Sequence, residues 1–161
     1  MSLAQKYSQE IQAIFAKYPP EQKRSAIMSL LYLAQREEGY ISQEAMKEIA
    51  DMLEISVTEV AGVAGFYTLF HRQKEGKYRI QVCTDLPCAL RGADSFLQEL
   101  AQALGVRPGE TTPDGRFTLE EVMCVGACHR APVFQVQHGD TITFHENMSL
   151  EEALAVLKKL E

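Results

Sequence analysis

The sequence YRIQVCTDLPC, residues 78–88, decides how the second half of the chain folds. Its apolar residues Tyr78, Ile80 and Val82 alternate with polar ones, which is the period-2 pattern of a β-strand. Cys83 directly follows that alternation, and Cys88 stands beyond it in a C-x4-C spacing. The stretch therefore predicts a strand that ends in a loop carrying two cysteines.

A helix and a second strand follow this loop. Apolar residues recur at helical spacing up to Gly105, namely Ala93, Phe96, Leu97, Leu100 and Leu104. The second strand is predicted at residues 117–123, and Cys124 directly follows it in a C-x3-C spacing with Cys128. A strand–helix–strand connection is almost always right-handed and makes the two strands parallel, with their carboxyl ends at one edge of the sheet. We therefore expect the two cysteine loops to meet there.

The rest of this half completes a small α/β domain. Residues 133–137 and 141–144 are predicted to form a hairpin through His138, Gly139 and Asp140, and a capping box of Ser149 and Glu152 opens a final helix. The predicted order is βα, β, ββα, so the domain at residues 75–161 should contain a four-stranded mixed sheet.

The first half of the chain is predicted to be helical. Apolar residues repeat at helical spacing, the Pro19-Pro20 step separates two helices, and a capping box of Ser56 and Glu59 opens another. Residues 1–74 should therefore form a helical bundle, which makes the chain an α+β protein of two domains. The aromatic stretch at residues 66–70 is expected to cover the junction with the sheet, with a partner interface as the alternative.

Composition excludes several classes of function. The chain has 161 residues, a net charge of −6 and a pI near 5.3, which argues against a surface that neutralises nucleic-acid phosphates. The longest uncharged apolar run, residues 60–70, is too short to cross a bilayer, and the N-terminus lacks a basic and apolar signal segment. We therefore expect no nucleic-acid partner, no membrane insertion and no export.

Four converging thiols allow four kinds of chemistry. Disulfides require an oxidising compartment, structural zinc sites favour C-x2-C knuckles, and a thioredoxin-type redox site needs C-x-x-C. A [2Fe–2S] cluster takes two thiolates on each iron, which suits two loops that each carry a pair. The spacing favours the cluster, with a zinc site, disulfides and a redox dithiol as the alternatives.

Residues around the cysteines are compatible with this interpretation. Gly126 allows a tight turn with amides directed at sulfur, and Gly92, Arg91 and Arg130 could offset the charge of an anionic cluster, although simple solvation of the arginines is an equal alternative. His129 has no second histidine at matching spacing and is not expected to bind iron. No nucleotide or flavin fingerprint and no catalytic residues are found, so a one-electron carrier would depend on partner proteins.

Both cysteine loops resemble those of the thioredoxin-like [2Fe–2S] ferredoxin family. The resemblance lies in residues 82–88 (VCTDLPC) and 124–133 (CVGACHRAPV), and it extends to residues 34–42 (AQREEGYIS) and 63–70 (VAGFYTLF). These stretches are most similar to the 24 kDa subunit of respiratory complex I, NADH:quinone oxidoreductase, called NuoE in bacteria.

The resemblance implies a thioredoxin-like domain with one [2Fe–2S] cluster on Cys83, Cys88, Cys124 and Cys128. It also implies a place in the cytoplasmic peripheral arm of a membrane complex, beside a flavoprotein subunit (NuoF-like) that carries FMN, the NADH site and a [4Fe–4S] cluster. The cluster would exchange single electrons with that FMN. Similar subunits occur in the diaphorase modules of NAD-dependent hydrogenases and formate dehydrogenases, and the sequence does not separate these. The reduction potential, the final acceptor and the oligomeric state of the free chain also stay open.

Overall fold

The computed structural model describes residues 2–139 and 141–160, so Asp140 of the predicted hairpin turn lies outside the described residues. The chain divides into two compact units, Met1–Lys74 and Glu75–Glu161. None of the helices in the described ranges is long and apolar enough to cross a membrane.

The first unit is helical, as predicted. Its elements are α1 (Leu3–Lys6), α2 (Ser8–Phe15), a 3-10 helix (Pro20–Ala26), α3 (Ile27–Glu38), α4 (Gln43–Leu53) and α5 (Val57–Phe66). The capping box at α5 is present, because the Ser56 hydroxyl accepts from the Glu59 N–H at 3.3 Å while the Glu59 carboxylate accepts from the Ser56 N–H at 3.0 Å. Gly39 ends α3 with a φ of +79°, a conformation that few other residues adopt.

The core of this unit comes from the apolar faces of the helices. Its fully buried side chains include Leu30, Leu31, Ile41, Ile49 and Val60. The side chains of the aromatic stretch at residues 66–70 differ in burial. Phe70 is buried in this core, whereas Phe66 is 78% exposed and Tyr67 is 42% exposed. The rings of Phe66 and Phe70 both contact Tyr67 edge to face, so the exposed rings are continuous with the buried one.

The second unit is a sheet with helices. Its elements are β1 (Tyr78–Cys83), α6 (Leu86–Ala89), α7 (Ala93–Leu104), β2 (Phe117–Val122), a 3-10 turn (Cys128–Arg130), β3 (Val133–His138), β4 (Thr141–Glu146) and α8 (Leu150–Lys158). The strand order is β2-β1-β3-β4, with β1 parallel to β2 and β3 antiparallel to both of its neighbours. The predicted four-stranded mixed sheet and the parallel pair within it are confirmed.

Helices α7 and α8 pack on one face of this sheet. The core there combines Ile80, Leu119 and Phe134 from the strands with Leu100 of α7 and Leu157 of α8. The two helices therefore stabilise the sheet, and the cysteine loops extend from the strands of that sheet.

The polar residues Arg79 and Gln81 of β1 are buried as well, among polar side chains from the neighbouring strands β2 and β3. The Arg79 guanidinium lies 2.6 Å from Glu75 and 2.6 Å from Glu120, and the Gln81 amide donates to Glu120 at 2.8 Å. Gln135 of β3 donates to the side-chain oxygen of Gln81. Burial, the largest influence, raises the pKa of Glu75 above its ordinary value. These side chains form a buried polar layer on the sheet.

Candidate functional site

Each of the four cysteines lies at or just beyond the carboxyl end of one of the two parallel strands. Cys83 is the last residue of β1, and Cys88 lies in the single turn of α6. Strand β2 ends at Val122, one residue earlier than predicted, so Cys124 lies in the following loop and Cys128 begins the 3-10 turn. Sequence patterning did not predict α6, although the Asp85 carboxylate, which accepts from the Leu86 N–H at 2.9 Å, is a recognisable cap before Pro87.

The two loops come together in a small cluster of their own. Cys83 and Cys88 are fully buried there, and Cys128 packs against the cluster. The other buried members are Ala93, Ala127, Ala131 and Val133, so mostly small side chains surround the sulfur atoms. Cys124 is exposed, and its Sγ lies 3.9 Å from that of Cys128. The site therefore has a buried pair and a pair that reaches the surface.

Burial affects the acidity of these thiols. It raises the pKa of Cys88 to about 12, and the neighbouring thiols of Cys83 and Cys128 contribute in the same direction. The Cys124 thiol is the main cause that raises the pKa of Cys128. Without a cation, Cys88 and Cys128 stay neutral at physiological pH. A bound metal ion deprotonates the thiols that coordinate it, so a metal would supply the charge that this pocket lacks.

The donor set fits an iron–sulfur cluster. All four cysteines are free thiols, and two sulfurs bound to one tetrahedral metal at about 2.3 Å would lie about 3.8 Å apart. The observed 3.9 Å between Cys124 and Cys128 matches that separation. Among the described residues, no three His, Cys, Asp or Glu side chains surround a common metal position. Pairs of thiols are what each iron of a [2Fe–2S] cluster requires.

Polar contacts tie the two loops to each other and to the sheet. The Arg91 side chain donates from Nε to the Ala131 carbonyl at 3.1 Å, which links the loop after β1 to the loop after β2. Thr84 donates to the Glu121 carboxylate at 2.7 Å. Gly126 has a φ of +81°, as the turn between Cys124 and Cys128 requires. Arg91 thus connects the two loops, and we refer to its hydrogen bond to Ala131 as the Arg91 strap. The position of Arg91 in the sequence did not reveal this role.

Arg130 and His129 have no such role. The Arg130 guanidinium forms an ion pair with Glu146 at 3.1 Å, which is exposed enough to contribute little to stability. His129 is exposed, next to Cys128. The contacts of Arg130 therefore give no direct support to the expectation that it offsets negative charge at the thiols.

Large apolar side chains flank the cysteines and face solvent. Leu86 and Leu90 lie on either side of Cys88, and Met123 precedes Cys124; we refer to these three residues as the apolar rim. They are 70%, 80% and 71% exposed respectively. Exposed apolar residues beside a functional site are typical of a protein-binding surface, and sequence patterning did not single them out.

The chain is similar to known proteins over most of its length. Residues 11–161 match the family model described as thioredoxin-like [2Fe–2S] ferredoxin. The chain is 45% identical over 148 residues to NADH-quinone oxidoreductase subunit 2 of Thermus thermophilus, covering 92% of this chain and 82% of that protein. It is 44% identical over 133 residues to a subunit of the NADH-quinone oxidoreductase of Aquifex aeolicus, covering 83% of this chain and 82% of that protein.

A solved structure has a similar fold. It is the crystal structure of an NAD+-reducing [NiFe]-hydrogenase in the air-oxidised state, which matches with a TM-score of 0.66 at 20% identity. The match covers 81% of this chain and 22% of the hydrogenase chain.

Proposed function

Because the chain belongs to the thioredoxin-like [2Fe–2S] ferredoxin family, we propose that Cys83, Cys88, Cys124 and Cys128 hold its cluster. The convergence of the two cysteine loops at one edge of the sheet carries this assignment. Its long, close matches to subunits of NADH-quinone oxidoreductases make the chain an electron-transfer subunit of that class of complex, with one [2Fe–2S] cluster.

The chain's own residues prepare the site for electron transfer. When bound, the cluster stores and releases a single electron. Cys83 and Cys88 would hold it from the buried side, where the buried side chains of Ala93, Ala127 and Ala131 would keep water away. Cys124 reaches the surface, so the path for electrons is shortest on that side. The Arg91 strap connects the two loops that would hold the cluster.

The electron donor is proposed to be a flavoprotein subunit of the same complex. In this proposal that NuoF-like partner holds FMN, the NADH site and a [4Fe–4S] cluster, and the FMN exchanges single electrons with the cluster of this chain. The apolar rim supports a docking surface there, since its three side chains are exposed and lie close in sequence to Cys88 and Cys124. No nucleic-acid or lipid contact is part of the proposal.

Location and domain organisation belong to the same proposal. We place the chain in the cytoplasmic peripheral arm of the complex, together with further subunits of that arm. We also assign residues 1–74 and 75–161 as two domains, which the separation into two compact units supports. The alternative function is the equivalent subunit in the diaphorase module of an NAD-dependent hydrogenase or formate dehydrogenase.

Metal analysis after anaerobic purification tests the cluster assignment. We expect two irons and two acid-labile sulfides per chain, with visible absorption bands that bleach on reduction by dithionite. A colourless protein with one zinc would instead identify a structural zinc site, and a metal-free protein with a reducible disulfide would identify a thiol–disulfide oxidoreductase.

Co-expression tests the partner. The chain should copurify with an FMN-containing subunit and should be reduced by NADH only in that complex. Copurification with a hydrogenase or formate dehydrogenase module, and not with quinone-reducing subunits, would favour the alternative.

A further inference from the structure

The two pairs of cysteines differ in how easily an external reagent reaches them. Cys83 and Cys88 are fully buried. Cys124 is exposed, and Cys128 is partly exposed. Thiol–disulfide exchange begins when a thiolate attacks a disulfide sulfur, so it requires access to the thiol. In a chain without its cluster, a small dissolved disulfide therefore reaches Cys124 first.

Cys124 and Cys128 are also placed to react with each other. Their Sγ atoms lie 3.9 Å apart, so the two sulfurs need to approach by about 2 Å to reach the length of a disulfide bond. Residues 123–127 belong to no helix or strand, and Gly126 forms the turn between the two cysteines with a φ of +81°. The approach therefore requires movement of one short loop and leaves the strands in place.

The buried pair is held by regular secondary structure. Cys83 is the last residue of β1, and Val122 of β2 pairs with it in the sheet. Cys88 lies in the single turn of α6, where its N–H donates to the Asp85 carbonyl at 2.8 Å. Cys88 has Cys83 and Cys128 as neighbouring thiols, but it is itself closed to solvent. A dissolved disulfide therefore reaches the buried pair only when the fold opens.

We propose that Cys124 and Cys128 are an oxidative modification site of the cluster-free chain, at which a low-molecular-weight disulfide such as glutathione disulfide generates a reversible disulfide within the loop. Each iron of a [2Fe–2S] cluster requires two thiolates, so this disulfide withholds both ligands of one iron until a dithiol reduces it. That consequence for cluster binding rests on the proposed function, whereas the oxidation itself does not.

The reaction balances as two successive thiol–disulfide exchanges. In the first, the Cys124 thiolate attacks one sulfur of glutathione disulfide, the S–S bond of the reagent breaks, and one glutathione thiolate leaves. In the second, the Cys128 thiolate attacks the Cys124 sulfur of the mixed disulfide and expels the second glutathione thiolate. The two leaving thiolates take up the protons that the cysteines lost. Two cysteine thiols are thus oxidised, and one glutathione disulfide is reduced to two glutathione molecules.

The test is peptide mapping by mass spectrometry, because trypsin separates the two pairs. Cleavage after arginine yields residues 80–91, which contain Cys83 and Cys88, and residues 117–130, which contain Cys124 and Cys128. The full, cluster-loaded chain is stripped of iron by a chelator under argon, treated with glutathione disulfide at pH 8, and then quenched with acid and alkylated in denaturant. The 117–130 peptide should gain its internal disulfide at least about tenfold faster than the 80–91 peptide, and dithiothreitol should reverse the change.

The same reaction in urea is the matched control. Four residues separate Cys83 from Cys88 and three separate Cys124 from Cys128, so loop closure in the unfolded chain costs almost the same for both pairs. The two peptides should then be oxidised at rates within about threefold of each other. In the folded chain, Cys128→Ser keeps the exposed thiol and removes its neighbour, so this variant should retain one glutathione on Cys124. Far-UV circular dichroism establishes that the variant is folded, and the wild-type comparison does not depend on it.

Three outcomes would overturn the proposal. Equal rates for the two peptides without urea, or a disulfide that joins the two peptides, would show that the fold does not select this pair. A 117–130 peptide that stays reduced would show that the loop does not bring its sulfurs together. A separate measurement on the iron-containing chain tests the proposed function. Rapid oxidation of the 117–130 peptide there would support the modification site but remove Cys124 and Cys128 from the proposed ligand set.

Discussion

Replacing Arg79 by methionine should destabilise the sheet unit by breaking a buried ion-pair network. The Arg79 side chain is 10% exposed, and its partners Glu75 and Glu120 are 15% and 21% exposed. Methionine keeps most of the volume and removes the charge, so two carboxylates are left without their cation. Removing one member of a buried ion pair costs about 3–5 kcal/mol. Because both carboxylates keep some contact with water, we expect about 3 kcal/mol at pH 8.

The loss should depend on pH, because Glu75 can take up a proton. Burial already raises its pKa in the presence of Arg79, and without the guanidinium the pKa rises further. At a pH above 4.5, the ordinary pKa of Glu75, this carboxyl has released its proton in the unfolded chain but still holds it in the folded variant. The free energy of unfolding therefore falls as pH rises through this window, and Arg79→Met should be less destabilising at pH 5.5 than at pH 8.

Urea unfolding followed by far-UV circular dichroism, at both pH values and with intact cluster, measures this difference. The control is Glu75→Gln/Arg79→Met/Glu120→Gln, which removes all three charges and should lie within about 1 kcal/mol of the wild type. The reasoning is refuted if Arg79→Met costs less than about 1 kcal/mol at pH 8, or costs the same at both pH values. A triple variant as unstable as the single one would mean that Arg79 acts through packing.

Three further substitutions test the site, and a fourth tests one helix. Cys124→Ala should lose or badly destabilise the [2Fe–2S] cluster and with it the reduced-state EPR signal, because one iron is left with a single cysteine, and an unchanged signal would remove Cys124 from the ligand set. Arg91→Met should release iron to a chelator several times faster than Arg130→Met, because only Arg91 straps the two loops; equal rates would contradict that role. Leu90→Lys should weaken binding of the FMN-containing subunit by at least about tenfold and leave the visible spectrum unchanged, whereas Glu99→Lys on the exposed side of α7 should not weaken it. In the last helix, Ser149→Ala removes the cap of α8 and should cost about 1 kcal/mol of unfolding free energy, measured by urea unfolding.

Local patterns were sufficient to predict most of the fold. The capping boxes at Ser56 and Ser149 mark the starts of α5 and α8, and the strand–helix–strand order made β1 and β2 parallel. The meeting of the cysteine loops follows from that order alone, because parallel strands end at the same edge. These features depend on near neighbours in the chain or on a handedness rule, so a sequence reveals them.

Other features depend on contacts between distant residues. The alternation in β1 is that of a strand with one solvated face, yet Arg79 and Gln81 are buried, because β3 inserts beside β1 and brings Gln135 and Gln137 with it. The strap from Arg91 to Ala131 joins residues forty positions apart, and the pattern at Arg91 is indistinguishable from that of a solvated arginine. The exposure of Leu90 next to a buried cysteine likewise becomes visible only in three dimensions.

Because β1 and β2 are parallel and end at the same edge of the sheet, a cluster there would also crosslink the two strand ends. In the proposed assignment, a cluster held by Cys83 and Cys88 on one side and by Cys124 and Cys128 on the other would close a ring of covalent and coordinate bonds that includes α7 and β2. A disulfide that closes a loop of about forty residues stabilises the folded state by about 4 kcal/mol, because it lowers the entropy of the unfolded chain. Closure by the cluster should contribute a similar free energy. Oxygen damage that dismantles the cluster would then open the ring as well as remove the electron carrier. In such a chain, loss of colour and loss of resistance to proteases would proceed together.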